Sequence, residues 1–247
     1  MWKLLLKKQM QELFRGYFVN PKNNKARSKA GIVGMFLLYA VVLFGILGGM
    51  FVTVAMSLCP TLSSIGMGWM YFDLMGLIAA FLGVIGGVFS TYSSLYLAKD
   101  NDLLLSMPIP VSEIMKARLL SVFLMALLYS GLASVPTVFV YLVIAPFKAT
   151  ALVGGLMFVV LVSVLVFLLS CVLGFVVAKV SLKIKNKSFI TVFISIAFFA
   201  AYYYFYFRAQ EILQDFLLNA AVYGEKLQKI YPLYLFGRMG EGDLIAV

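Results

Sequence analysis

The chain has 247 residues, of which 63% are hydrophobic and 12% charged, with a mean hydropathy of +1.01 and a net charge of +10. Soluble domains carry roughly 25% charged residues, so these values exclude an ordinary soluble domain and point to an all-α polytopic bundle of membrane helices. With no histidine and no GxxxxGK[ST] motif, the chain lacks the residues for most zinc sites, Ser–His hydrolysis, imidazole acid–base chemistry or P-loop ATP binding.

Residues 2–17 predict an amphipathic helix. Trp2, Leu6, Met10, Leu13 and Tyr17 form one apolar stripe, and Lys7, Lys8, Gln11, Glu12 and Arg15 fall opposite. A basic polar face suits a helix lying among lipid headgroups. The run of three leucines in "MWKLLLKKQMQELFRG" is too short for the apolar core of a cleavable signal. "NPKNNKARSKA" (Asn20–Ala30) then breaks the helix with a basic linker, so residues 1–30 form a first, cytoplasmic unit.

Five spans are predicted over 31–207, at about Gly31–Ser57, Ile65–Ala98, Ala117–Ala145, Ala151–Lys179 and Ser188–Phe207. Lys and Arg number eight before the first span, three at 99–118 and four at 179–187, fifteen in all; the remaining five lie on the other side. Basic flanks are cytoplasmic, so the amino terminus is expected inside a multi-pass cell-membrane protein. The same rule assigns the positive charge to lipid rather than to nucleic acid. Cys59, at the loop edge after the first span, and Cys171, inside the fourth, have neither disulfide nor metal spacing.

Several residues within the spans stand out. "GILGGMFVT" and "GVIGGVFST" place Gly45 and Gly49 in the first span and Gly83 and Gly87 in the second. Missing side chains let backbones approach, so the two blocks are expected to pack the first two spans together. Asp73 is the one acid inside a predicted span, which makes it a functional candidate. Its position near the outer end, beside Trp69 and Tyr71, favours a plain interfacial acid. The second span covers about 50 Å against a hydrocarbon core of about 30 Å, and its semi-polar end "STYSSLYLAKD" is expected to project into the cytoplasm. Pro136 is expected to kink the third span near its outer third.

The loop "KDNDLLLSMPIPVSEIMKAR" (Lys99–Arg118) separates the second and third spans. Pro108 and Pro110 stop the preceding helix, and Ser112 is expected to cap a new one carrying Glu113 in its first turn. Asp100 and Asp102 lead a short apolar turn that presents Leu103, Leu104, Leu105 and Met107. A charged rim around exposed apolar residues marks a docking element, against the alternative of an ordinary loop tucked under the bundle.

After the fifth span, Arg208–Ile230 is spaced like a surface helix, with Ile212, Phe216, Leu217, Ala220 and Ala221 on one side. "YPLYLFG" is too short to span. The last residues, "DLIAV", read as the opening of a further helix, so 208–247 is expected to be an extracellular segment before another span of a longer chain.

Taken together, the amino-terminal helix, the long second span, the "D-LLLSMPIP-S-I---R" loop and the "Y-P-Y-F-----G" pattern of Tyr231–Gly242 resemble the permease subunit of bacterial ABC exporters, specifically the second export class with the type V fold. The resemblance implies that 2–17 is a connecting helix. It implies that 99–116 holds a coupling helix, with Asp100, Asp102, Leu103, Leu104, Met107, Pro108, Pro110, Ser112 and Glu113 docking on a separate ATP-binding cassette subunit. It implies outer re-entrant helices in 208–243 and a transport path built from two such units, in two chains or two halves of one. ATP and magnesium would then belong to the partner; this chain would bind no cofactor and perform no bond chemistry. A non-transporting membrane scaffold or sensor is the alternative.

Overall fold

The computed structural model describes residues 2–14, 18, 27–96, 106, 109–145, 148–183, 200, 203–204, 207–208, 211, 214–216 and 218–243. It is 92% helical and contains no strand among the described residues. The elements are α1 (Trp2–Leu13), α2 (Lys29–Ala40), a π-helical segment (Val41–Leu47), α3 (Gly48–Ser64) and α4 (Gly68–Thr91), which ends in π-helical Tyr92–Tyr96. They continue with α5 (Val111–Ile144), α6 (Ala149–Lys183), α7 (Ala220–Gln228) and α8 (Tyr231–Glu241).

Four stretches are long and apolar enough to cross a membrane: Lys29–Ser64, Gly68–Tyr96, Val111–Ile144 and Ala149–Ser181. They correspond to the first four predicted spans. The fifth, Ser188–Phe207, falls almost wholly outside the described residues. The first span runs past its expected end at Ser57 because Pro60 lies inside α3 without stopping it. A proline removes one intrahelical donor, but here Leu58, Cys59 and Leu62 are fully buried and hold the helix in the core. Cys59 is therefore an interior helical residue rather than a loop-edge one. Both cysteines are free.

The core is a three-helix packing of α4, α5 and α6, with α3 on α5 and α8 wedged between α4 and α6. Its centre is aromatic. Phe72 meets Tyr141 at 4.9 Å and Phe158 at 5.2 Å between ring centroids, and Phe158 meets Phe236 of α8 at 5.1 Å. The first two of these contacts are edge to face and the third is tilted, and such ring pairs add to the burial of large side chains. Buried hydroxyls return to their own helices: Ser130 Oγ donates to the Ala126 carbonyl, Thr137 Oγ1 to Ala133 and Ser163 Oγ to Val159, all at 2.8 Å. That local bonding satisfies polar atoms where water is absent. Pro136 lies inside α5, and the next residue's carbonyl, that of Thr137, accepts a buried hydrogen bond from Tyr71 Oη at 2.9 Å.

The first span joins this core mainly through its second half, with Leu43 the buried exception in the first. Val33, Phe36, Leu37, Val41, Phe44 and Ile46 are all exposed, whereas Ala55, Leu58, Cys59 and Leu62 are buried.

Candidate functional site

The bundle has two chemically distinct ends. At the first, α1 lies against the start of α5. The Trp2 backbone N–H donates to Glu113 Oε2 at 3.2 Å, and Glu113 also pairs with Lys116 at 3.2 Å. Ser121 Oγ donates to Gln9 Oε1 at 3.1 Å in a buried contact. The inward face of α1 therefore centres on Gln9. Of the predicted stripe, Trp2 is exposed and Leu6 and Met10 are half-buried. Phe14, just past α1, sits 6.1 Å from Phe36 and 6.5 Å from Tyr39 on α2. The end of the second span meets α6 here too: Tyr92 Oη donates to Ser181 Oγ at 3.1 Å, and Tyr96 Oη to the Cys171 carbonyl at 3.2 Å.

The loop between Tyr96 and Val111 leaves and returns at this end. Asp100, Asp102, Leu103, Leu104, Met107 and Pro108 lie outside the described residues. Pro110, Ser112 and Glu113 are described, and they correct the predicted cap. The helix begins at Val111 with Pro110 as its N-cap residue, and the Pro110 carbonyl accepts from the Glu113 N–H at 2.9 Å. Ser112 is thus already inside the first turn. Proline's fixed φ, here −57°, prepares the helix entry without a hydroxyl cap.

The opposite end is built by α7 and α8 on the mouths of α4, α5 and α6. Trp69 and Tyr234 meet edge to face at 5.0 Å, and Arg238 lies over the Tyr234 ring at 5.6 Å while pairing with Asp243. Lys148, Arg238, Glu241 and Asp243 line a polar cleft of about 570 Å³. Burial pushes the Glu241 carboxyl up from its ordinary value, against the pull of Lys148 and Arg238. The close seat of α8 rests on glycines. A Cβ at Gly237 would strike the Trp69 carbonyl and come within 2.9 Å of Asp73 Oδ1, and one at Gly240 would come within 2.5 Å of Phe72. Gly242, at φ 97°, closes α8 in the left-handed region, against the Ala151 backbone.

Asp73 lies beneath this end. It is 1% exposed, and neither carboxylate oxygen has a hydrogen-bond partner among the described residues. It lines a cavity of about 270 Å³ between α4, α6 and α8, whose other described walls, including Leu77, Val162, Leu165 and Phe236, are apolar. Asp73 is thus an interior residue and not the wet interfacial acid that its sequence position favours.

The glycine blocks do not meet. A Cβ at Gly83 would lie 2.8 Å from Val166 of α6 and 3.2 Å from Ser130 of α5, and one at Gly87 would lie 2.6 Å from Ser170 of α6. Gly45 would touch only Val41 of its own span, and Gly49 faces open space. Gly83 and Gly87 do serve close packing, but against α5 and α6. Gly45 and Gly49 each face away from the neighbouring helices.

No protein-family model matches the chain, and neither a curated protein nor a solved structure does.

Proposed function

We propose that this chain is the membrane-spanning permease subunit of an ATP-driven export system, moved by a separate ATP-binding cassette subunit that docks on residues 99–116. One observation carries most of the support. The loop holding the proline-punctuated element joins two long spans at the end where α1 is fastened to the first turn of α5. A displacement of that loop would act directly on Glu113 and Trp2, and through a 34-residue helix on the far end of the bundle. Rigid helices transmit such displacements, and a bundle with two discrete packings converts them into alternate access. The short α7–α8 pair seated between span mouths agrees with the outer re-entrant segment that the resemblance implies. A second unit, ATP and magnesium in the partner, and a fifth span over 188–207 belong to the same proposal. The described ends that flank that segment, Lys183 and Ala220, lie at opposite ends of the bundle.

The test is purification of the tagged chain from its native membrane with its partners intact. A cassette ATPase subunit is expected to co-purify, and Leu103→Asp with Leu104→Asp is expected to release it while membrane insertion persists, because charge is placed in a desolvated contact. Absence of any such subunit from the wild-type preparation, or its full retention by the double variant, overturns the reading.

A further inference from the structure

A carboxylate buried beside hydrocarbon is costly to leave ionised and unpartnered, so it takes either a proton or a counter-charge. Asp73 has no counter-charge among the described residues, and both of its oxygens are closed to solvent. The neighbouring cation on α8, Arg238, is engaged with Asp243 and Tyr234. Gly237 leaves the space that the carboxylate fills: a Cβ there would crowd Asp73 Oδ1 at 2.9 Å.

The cavity beside Asp73 selects among counter-ions. Calcium takes six to eight oxygen ligands and magnesium keeps a near-octahedral shell. One carboxylate among Leu77, Val162, Leu165 and Phe236 cannot supply either, and no group of three acidic or cysteine ligands occurs among the described residues. A carbon-covered ammonium ion fits differently. Its methyl and methylene groups bury against the apolar walls, it has no N–H donors to satisfy when quaternary, and an aromatic ring adds to its attraction. At about 270 Å³, the space suits a small ion and falls below the roughly 300–1,000 Å³ of drug-sized sites.

We propose that the cavity between α4, α6 and α8 is a binding site for a small organic ammonium ion, with Asp73 as its counter-charge and Phe236 and Leu165 among its apolar walls. The assignment rests on the cavity and not on the export reading, and binding by the chain alone tests it. The full chain, purified into lipid nanodiscs, is titrated with benzyltrimethylammonium and with neopentylbenzene, its uncharged carbon counterpart. The wild type is expected to prefer the cation by at least about tenfold, as one desolvated charge pair allows. Asp73→Asn is expected to erase that preference while leaving hydrocarbon binding unchanged. Ala80→Phe, which fills the cavity from α4, is expected to remove both ligands. The proposal is overturned if the wild type shows no preference for the cation, a result that needs no variant to fold. It is equally overturned if Asp73→Asn keeps the preference, or if Ala80→Phe binds the cation as before.

Discussion

Glycines in this chain divide by what an added methyl would meet. At Gly83 it meets the two stiff γ-carbons of Val166, at 2.8 and 2.9 Å, with Ser130 of α5 at 3.2 Å. A β-branched side chain has little rotamer freedom with which to yield. Gly83→Ala is therefore expected to destabilise the folded bundle by about 1–3 kcal/mol, the usual range for overpacking. Gly49→Ala meets open space and is expected to be neutral, or to stabilise by up to about 1 kcal/mol through the better helix propensity of alanine. Melting temperatures of the two variants in one detergent separate the cases; equal losses at both would mean that the first span packs as closely as the second. Sequence alone makes the two blocks look equivalent, since both read G-x-x-G-G. What distinguishes them is the partner across each face, Val166 and Ser170 for one and no other helix for the other, and these partners lie about 80 residues further along the chain.

At the scale of elements, apolar length was a sound guide and end chemistry was not. The first four spans are legible because about 20 apolar residues can hardly be placed otherwise in a membrane protein. Their limits moved because Pro60 is carried inside α3 and Pro110 opens α5, two opposite uses of the same residue. The seat of α8 was signalled weakly, by the glycines of "GRMGEG", and the polarity of its contacts was not signalled at all. Glu241 ends α8 against α4: a Cβ at Gly68 would lie 2.8 Å from Glu241 Oε1. Burial raises its carboxyl above the ordinary 4.5, Lys148 and Arg238 oppose that shift, and Asp243 adds to it. Tyr141 of α5 also faces it. The folded state thus holds the Glu241 proton more tightly than the unfolded state does. The stability linked to this proton is complete below the ordinary value and declines as pH rises through the folded one. Glu241→Gln mimics the neutral form at every pH. It is expected to flatten this part of the stability profile and to match or exceed the wild type at neutral pH. Thermal melts from about pH 4 to about pH 8 check it; a wild-type curve that instead rises through this window, unchanged by the substitution, would reverse the sign.

For the whole molecule, the charge count and the architecture now bear on one question, which end faces which side. Among described residues, Lys3, Lys7, Lys8, Arg27, Lys29, Lys116, Arg118 and Lys179 gather at the end where α1 meets α5 and where the second span meets α6. Lys148, Arg208, Lys226, Lys229 and Arg238 lie at the α7–α8 end. The fold thus keeps together the basic residues that the sequence strings across three separate segments. An excess of Lys and Arg on short flanks marks the cytoplasmic side. The α1 end is therefore expected inside and the α7–α8 end outside. Lys7 and Lys229 are both exposed and suit single cysteine substitutions once Cys171 is changed to alanine; Cys59 is 0% exposed and out of reach of a polar reagent. In intact cells an impermeant thiol reagent is expected to label Lys229→Cys and to spare Lys7→Cys until the membrane is opened. Labelling of Lys7→Cys alone would invert the molecule and move the proline-punctuated loop out of reach of any cytoplasmic ATPase. Labelling of both from outside would count against the proposed fifth span over 188–207, since four antiparallel spans alone return the chain to the side on which it began.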